Sequence, residues 1–235
     1  MKIAVLSGAS SGIGLCIANF LLMSNYKLYT LSRSRPPIDS TPNMIHIPCD
    51  LTIPDDQDRA VSTILDAESH IDLLINCAGE GQFGPHETID ANNIRHMLRL
   101  NLEAPVVMTG QFLRAIRAAK GHIINISSIS ATGPAPHGCA YAAGKSGLSH
   151  FTNSLFEETR RQGIAVSLIQ PDLTQTRFYD DIFFEPENIE CAYIEPEQVA
   201  EAVKYVIESR SNMCVTEINL RPQFNRIHRK SSKTE

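Results

Sequence analysis

The sequence lacks the cysteine and histidine spacings that mark metal centres and disulfide frameworks. Its six cysteines include no C-x-x-C pair, and its eight histidines include neither an H-x-x-x-H nor an H-E-x-x-H spacing. We therefore expect reduced, mostly buried thiols and no bound metal.

The sequence also lacks long apolar runs and an excess of basic charge. No apolar stretch approaches the ~20 residues that a membrane-spanning helix needs, and the first residues lack the apolar stretch of a secretory signal. The net charge is -5, which does not attract nucleic acid or an anionic membrane surface. We expect a cytoplasmic protein whose main partners include neither nucleic acid nor membrane.

What is present is an alternation of short Ile-, Val- and Leu-rich runs with longer stretches of helical periodicity, which is typical of β-α units around a parallel sheet. It predicts one α/β domain over residues 1–220, a doubly wound three-layer sandwich with a mostly parallel, seven-stranded sheet. The predicted strands are 2–6, 27–31, 44–48, 71–75, 122–126, 164–169 and 214–220, and the predicted helices are 12–24, 55–69, 92–119, 139–162 and 196–210. In such folds the segments that follow the strands carry the chemistry.

A glycine-rich turn follows the first predicted strand and opens the first predicted helix. Gly8 suits a tight turn, Gly12 lets the backbone approach a pyrophosphate, and Gly14 lets the helix pack closely on the sheet. The helix N-terminus adds free N–H groups for an anion. The spacing is G-x-x-x-G-x-G, and no G-K-[ST] follows to indicate a nucleoside triphosphate loop. The predicted cofactor contacts are Gly8, Ser10, Ser11, Gly12, Ile13 and Gly14; the alternative is a turn that binds no ligand.

The residues after the second and third strands predict which dinucleotide binds. An acidic residue after the second strand binds ribose hydroxyls, whereas an arginine accommodates a 2′-phosphate. Ser32 and Arg33 occupy that place and favour NADP(H), unless Arg33 is only a solvated loop charge. Asp50 and Leu51 follow the third strand and are predicted to reach the adenine edge, unless Asp50 only introduces the next helix, for which Thr52 or Asp55 is a better cap.

Tyr141 and Lys145 are four residues apart on a predicted helix and therefore share one face. Lowering the pKa of a tyrosine from ~10 to ~7 requires about 4 kcal/mol, and a cation ~4 Å away at an effective dielectric of ~20 contributes about that amount. The pair predicts a tyrosine whose pKa is lowered by Lys145 for proton transfer. Side-by-side packing on a helix surface is the alternative.

Ser128 lies at the end of the fifth predicted strand, thirteen residues before Tyr141. Its hydroxyl is a candidate donor to a carbonyl oxygen that gains negative charge; the alternative is a serine that satisfies loop backbone. No G-x-S-x-G elbow surrounds Ser127 or Ser128, which disfavours a serine hydrolase.

Together these motifs resemble the short-chain dehydrogenase/reductase family, in its single-domain Rossmann form, over nearly the whole chain. The family's T-G-x-x-x-G-x-G appears with Ser7 in the first place, and its N-N-A-G appears as Asn76-Cys77-Ala78-Gly79. The family's catalytic Asn-Ser-Tyr-Lys set falls on Asn101, Ser128, Tyr141 and Lys145.

The resemblance implies hydride transfer between a nicotinamide and a carbonyl or alcohol carbon, with Tyr141 as general acid or base. It implies that Lys145 lowers the pKa of Tyr141 and holds the ribose, that Ser128 orients the substrate oxygen, and that Asn101 keeps a water in the proton path. The further cofactor contacts it implies are Asn76, Ala78, Gly79, Tyr141, Lys145, Pro171 and Thr176. The family's P-G after the sixth strand is here Pro171-Asp172, which puts a carboxylate near the nicotinamide end. A homodimer or homotetramer is also implied.

Two segments adjoin the implied site, and a basic segment ends the sequence. Residues 177–194 are rich in aromatic side chains, and the resemblance implies a mobile substrate lid there; a permanently packed helix pair is the alternative. In the loop 131–140, His137 and Cys139 are candidate substrate contacts. Residues 221–235 carry five Lys or Arg against one acidic residue and predict a solvated, partly disordered basic tail.

The sequence therefore predicts an NADP(H)-preferring oxidoreductase that works mainly as a carbonyl reductase on a small-molecule carbonyl or alcohol substrate. The alternative is a catalytically silent dinucleotide-binding sensor or scaffold. The intact Tyr-Lys-Ser-Asn set disfavours that alternative.

Overall fold

The chain folds around one main sheet with helices on both faces. The computed structural model describes residues 1–209 and 212–230. The strands are β1 (Ile3–Ser7), β2 (Lys27–Ser32), β3 (Met44–Pro48), β4 (Leu73–Asn76), β5 (His122–Ile126), β6 (Ala165–Pro171), β7 (Phe184–Pro186), β8 (Glu217–Leu220) and β9 (Ile227–Arg229). The α-helices are α1 (Gly12–Met23), α2 (Pro54–Ala67), α3 (Ala91–Leu98), α4 (Ala104–Ala119), α5 (Cys139–Thr159) and α6 (Pro196–Glu208).

Seven strands form the main sheet in the order β3-β2-β1-β4-β5-β6-β8, and all of its pairings are parallel. The chain runs outward from β1 to β3 and then continues with β4 on the other side of β1. Such a reversal opens a crevice at the carboxyl ends of the strands. The predicted Rossmann-type, doubly wound α/β sandwich is confirmed.

Two hydrophobic clusters, one on each face of the sheet, hold the three layers together. On one face α2, α4 and α5 contribute Ile64, Phe112 and Leu155. On the other face α1 and α6 contribute Ile17 and Val203. Because both faces are covered, the central strands are apolar on both sides, which is why they read as continuous apolar runs.

The helix predicted over 92–119 is interrupted. The structure has α3, then a π-helical turn over Arg99–Glu103, then α4. Pro105, at the start of α4, has no N–H to donate to the carbonyl of Asn101 four residues before it, so α-helical bonding does not run through this point. One continuous helix is therefore wrong for this segment, and the irregular turn carries Asn101.

The predicted lid and the predicted tail are joined. Residues 177–194 form a 3-10 turn over Arg177–Tyr179 and the strand β7, not a helix pair. β7 pairs antiparallel with β9 of the C-terminal segment. Residues 227–229 of the predicted tail are exposed, but they form a strand whose backbone groups are paired with those of the lid. Residues 231–235 of the predicted tail lie outside the described residues.

Among the residues that the structure describes, no helix is both long and apolar enough to cross a bilayer. In the same part of the chain, no group of three or more His, Cys, Asp or Glu side chains is arranged to hold a metal ion.

Candidate active site

A cleft of about 830 Å³ opens at the carboxyl ends of the strands. Most of the residues predicted to bind cofactor or to act in catalysis line it, although they come from strand ends far apart in the chain. Those that line it are Gly8, Ser10, Ser11, Gly12, Ile13, Gly14, Ser32, Arg33, Asp50, Leu51, Ala78, Gly79, Ser128, Tyr141, Lys145, Pro171 and Thr176. Asn76 and Asn101 lie behind the cleft wall.

The glycine turn forms the floor of the cleft, and steric crowding explains its glycines. Gly8 has a φ of +76°, and a Cβ there would lie 2.7 Å from the backbone of Ala78. A Cβ on Gly14 would lie 2.1 Å from the carbonyl oxygen of Gly8. The turn therefore needs these two glycines to fold, with or without a ligand.

The N-terminus of α1 faces the cleft and suits an anion. Ser11 is the N-cap residue of α1, and its side chain makes no capping hydrogen bond with the described residues. The first N–H groups of a helix lack intrahelical partners, and with the helix dipole they form an anion-binding site. The arrangement fits a pyrophosphate.

The rim beyond β2 and β3 carries Arg33 and Asp50. Arg33 is exposed, and the Ser32 hydroxyl donates to the carbonyl of Ser34 at 2.9 Å.

Asp50 accepts from the Thr52 N–H at 2.9 Å and from the Thr52 hydroxyl at 2.7 Å. Partial burial raises the pKa of Asp50, but these bonds and the nearby Arg33 outweigh burial and hold the pKa below its usual value. Asp50 leads into α2, which neither Thr52 nor Asp55 caps.

Tyr141, Lys145 and Ser128 meet on the opposite wall. Tyr141 and Lys145 lie one turn apart on α5 and are only 8% and 4% exposed, so they are not a surface pair. Ser128 lines the same cleft as Tyr141, and its Oγ accepts from the N–H of Ser130 at 3.2 Å and from the Ser130 hydroxyl at 2.9 Å. Lys145 Nζ donates to the carbonyl of Ile126 at 3.0 Å and lies 5.9 Å from the centre of the Tyr141 ring.

Burial has the largest effect on the pKa values of Tyr141 and Lys145. It raises the pKa of Tyr141 to about 12, against the lowering effect of the nearby Ser128 hydroxyl, and it lowers the pKa of Lys145 to about 8. The expectation that Lys145 by itself brings the pKa of Tyr141 near 7 is therefore wrong for the chain alone. The sequence shows the charge of Lys145, but it does not show the free energy that removing both side chains from water costs.

Asn101 lies directly behind Gly79. A Cβ on Gly79 would lie 2.8 Å from Asn101 Oδ1 and 3.2 Å from Lys145 Nζ, so glycine keeps the space between them open. Asn101 Nδ2 donates to the carbonyl of Glu80 at 2.7 Å. Its buried Oδ1 accepts no hydrogen bond from the described residues. Because buried acceptors are nearly always partnered, this atom fits a bound water next to Lys145.

Asn76 stabilises the sheet instead of lining the cleft. Its Nδ2 donates to Asn125 Oδ1 at 2.7 Å and to the Thr109 hydroxyl at 3.1 Å. These bonds tie β4 to its neighbour β5 and to α4. Asn76 is not among the residues that line the cleft, and its cofactor contact stays a prediction.

Ser7 has a role that the sequence analysis did not find. Its hydroxyl accepts from the N–H groups of Cys77 and Ala78 at 3.0 and 3.2 Å. The first residue of the glycine motif therefore fixes the loop after β4, where Ala78 meets Gly8. The sequence feature that could have indicated this role is the position of Ser7, which takes the place of the threonine in the family's T-G-x-x-x-G-x-G motif.

An aromatic wall, made of Phe83, Phe178, Tyr179 and Phe184, closes the cleft beside Tyr141. The Phe83 ring centre lies 5.3 Å from that of Tyr141 and 5.3 Å from that of Phe184. The lid aromatics were predicted from the sequence, but Phe83 was missed; its place after β4, at the carboxyl edge of the sheet, was the available signal. His137 and Cys139 are exposed and lie outside the cleft lining.

Asp172 lines the cleft close to this wall. One of its carboxylate oxygens accepts from the N–H of Leu173 at 2.9 Å. Partial burial raises the pKa of Asp172 despite that bond and the nearby Arg221. Asp172, which stands where the family has the glycine of its P-G pair, is thus a half-buried carboxyl group in the cleft.

The doubly wound sheet, the glycine turn at its switch point and the buried Tyr-Lys-Ser set define a dinucleotide-dependent type of α/β domain. The sequence profile of the short chain dehydrogenase family matches residues 2–186. The chain belongs to this family and is an oxidoreductase.

Similar proteins extend over almost the whole chain. An uncharacterised oxidoreductase of Staphylococcus epidermidis is 27% identical over 227 residues, covering 94% of this chain and 97% of that protein. A metagenomic short-chain oxidoreductase solved with NADP is 29% identical with a TM-score of 0.77, covering 95% of this chain and 98% of that one. An alcohol dehydrogenase of the archaeon Thermococcus sibiricus, complexed with 5-hydroxy-NADP, has a TM-score of 0.84 at 22% identity, covering 96% and 98%. A 4-hydroxyisoleucine dehydrogenase complexed with NADH also has a TM-score of 0.84, at 21% identity, covering 94% and 98%.

Proposed function

We propose that the protein is an NADP(H)-preferring carbonyl reductase that transfers a hydride between nicotinamide and the carbon of a small-molecule carbonyl or alcohol. The observation that carries the proposal is the buried Tyr141. It lies one helical turn from Lys145, in the same cleft as Ser128 and the glycine turn.

The cleft fits the proposed coenzyme. The N-terminus of α1 with Ser11 would hold the pyrophosphate, Ser32 and Arg33 would hold the 2′-phosphate, and Lys145 would hold the ribose. When bound, the reduced coenzyme supplies the hydride. Related structures contain NADP in one case and NADH in another, so the preference for NADP(H) rests on Arg33 and on the lack of an acidic residue after β2.

In this proposal Tyr141 donates the proton that the substrate oxygen receives. With its pKa raised to about 12 by burial, the phenol is protonated at neutral pH, which is the form that carbonyl reduction requires. Ser128 holds the substrate oxygen by a hydrogen bond as negative charge develops on it. Lys145 and the Oδ1 atom of Asn101 lie on the route by which Tyr141 regains a proton.

Turnover of simple aryl carbonyls tests the proposal. The protein is mixed with NADPH and either para-nitrobenzaldehyde or phenanthrenequinone, and the loss of reduced-nicotinamide absorbance is followed. Tyr141→Phe is expected to lower kcat by about 10²- to 10⁴-fold because it removes the general acid. The matched control Tyr205→Phe, at a residue that is 59% exposed on α6, is expected to leave kcat unchanged.

Two outcomes would contradict the proposal. One is an undiminished rate in Tyr141→Phe. The other is NADPH binding without turnover of any carbonyl, or of any alcohol in reverse, which would support a silent dinucleotide sensor instead.

We also propose that the protein is cytoplasmic and assembles as a homodimer or homotetramer. Support for assembly comes from the family, whose members are usually oligomeric. Sedimentation of the full chain at micromolar concentration measures the oligomeric state, and a monomer would contradict this proposal.

A further inference from the structure

The C-terminal strap, defined as residues 224–230, runs antiparallel along the lid (residues 177–194). Its backbone bonds extend past the β7–β9 pairing in both directions. At one end the N–H of Phe224 donates to the carbonyl of Cys191 at 2.9 Å, and at the other the N–H of Lys230 donates to the carbonyl of Phe183 at 2.9 Å. The strap is therefore an integral part of the lid.

The side chain of Lys230 reaches past the strap to the turn that opens the lid. Its Nζ donates to the carbonyl oxygens of Tyr179 and Asp180, the latter at 3.2 Å, and lies 3.4 Å from a carboxylate oxygen of Glu185. These carbonyls are at the C-terminal end of the 3-10 turn Arg177–Tyr179. The Tyr179 carbonyl also accepts from the N–H of Ile182 at 3.0 Å, so the ammonium group adds a second donor there and neutralises the negative end of the turn.

This turn carries two of the four rings of the aromatic wall. The ring centre of Phe178 lies 5.8 Å from that of Tyr141 and 5.2 Å from that of Tyr179. Tyr179 lies 5.8 Å from Phe184 of β7. The turn thus sets how closely the wall approaches Tyr141, and Lys230 is the cation bonded to its end.

We propose that Lys230 is a positioning residue for the substrate half of the active site: it anchors the turn Arg177–Tyr179 and so holds Phe178 against Tyr141, with Tyr179 packed behind Phe178. The anchoring follows from the contacts alone, whereas its effect on substrate rests on the proposed function. The predicted coenzyme contacts on the glycine turn and after β2 and β3 lie on other elements, whereas Thr176, the N-cap of the turn Arg177–Tyr179, is the one next to it.

Hydrogen–deuterium exchange of the full chain tests the anchoring without substrate or coenzyme. Lys230→Met keeps the apolar stem but removes the ammonium, so exchange in peptides covering 177–187 is expected to accelerate about tenfold. Lys230→Arg retains the charge and donors and is expected to stay within about threefold of the wild type. Glu185→Gln removes only the half-exposed ion pair and is also expected to stay within about threefold.

Steady-state kinetics with para-nitrobenzaldehyde and NADPH tests the effect on the site. In Lys230→Met the KM for the aldehyde is expected to rise about tenfold while kcat and the Kd for NADPH change less than about threefold. Lys230→Arg is expected to restore KM. The matched control Lys204→Met, at an exposed lysine of α6, is expected to change none of these quantities.

The two proposals fail separately. Unaltered exchange at 177–187 in Lys230→Met overturns the anchoring, even if the chain reduces aldehydes. Accelerated exchange with an unchanged KM overturns the effect on substrate, as does a loss of NADPH affinity equal to the rise in KM. Absence of turnover by the wild-type chain contradicts the proposed function and leaves the exchange result standing.

Discussion

The two halves of the cleft are built by different means. The coenzyme half is made of strand ends of the main sheet and the glycine turn, where backbone approaches backbone so closely that a Cβ on Gly14 would lie 2.1 Å from a carbonyl oxygen. The substrate half is made of rings whose centres are 5.2 to 6.3 Å apart, and its lid is paired to the strap outside the main sheet.

This difference gives the two halves different tolerance to change. Backbone crowding admits no added side chain unless the sheet itself moves, so the coenzyme half accepts few sequences. Side-chain packing between rings allows one apolar residue to replace another at modest cost. A scaffold of this kind can keep a dinucleotide site while its substrate wall changes, because function then lies in loops held by a rigid framework.

The largest effect is expected from Gly14→Ala. Its Cβ would collide with the carbonyl of Gly8, so the turn or helix α1 must shift, at a cost of about 3 kcal/mol or more in the free energy of unfolding. Urea denaturation measures it. Gly133→Ala is the matched control, because a Cβ there would meet no heavy atom within 4 Å in the described part of the chain; it is expected to stay within about 0.5 kcal/mol. Equal costs would remove the contrast between the halves.

An intermediate effect is expected from Arg33→Ala, which addresses the coenzyme half alone. Loss of a charge-assisted contact to the 2′-phosphate is expected to raise the Kd for NADPH about tenfold and to leave the Kd for NADH within about twofold. Fluorescence titration with each coenzyme measures both. Arg35→Ala, at an exposed arginine outside the cleft lining, serves as the control. Equal losses for the two coenzymes would refute the preference for NADP(H).

The smallest effect is expected from Phe83→Leu in the aromatic wall. It removes ring contacts with Tyr141 and Phe184 but keeps an apolar side chain, so kcat/KM for para-nitrobenzaldehyde is expected to fall about fivefold. The Kd for NADPH is expected to be unchanged. Phe20→Leu makes the same substitution on α1, outside the cleft, and should leave kcat/KM unaltered. A larger effect on NADPH than on the aldehyde would show that the two halves are not independent.

The regular elements were predictable because their signals are local. The apolar runs of β1 to β6, the glycine turn between β1 and α1, and the four-residue spacing of Tyr141 and Lys145 are each contained in a few consecutive residues. The π-helical turn at Arg99–Glu103 was missed, although Pro105 was its signal, because helical periodicity continues on both sides of it.

The sequence by itself determined the order of the seven main-sheet strands along the chain, the place of the glycine turn and most of the residue types that meet in the cleft, since backbone sterics and apolar periodicity act over short distances. Only the tertiary structure decided that Phe83 packs on Tyr141, that residues 227–229 pair with the lid, and that burial raises the pKa of Tyr141. Each of these depends on contacts between segments distant in the chain, and on the water those contacts exclude, which no local pattern encodes.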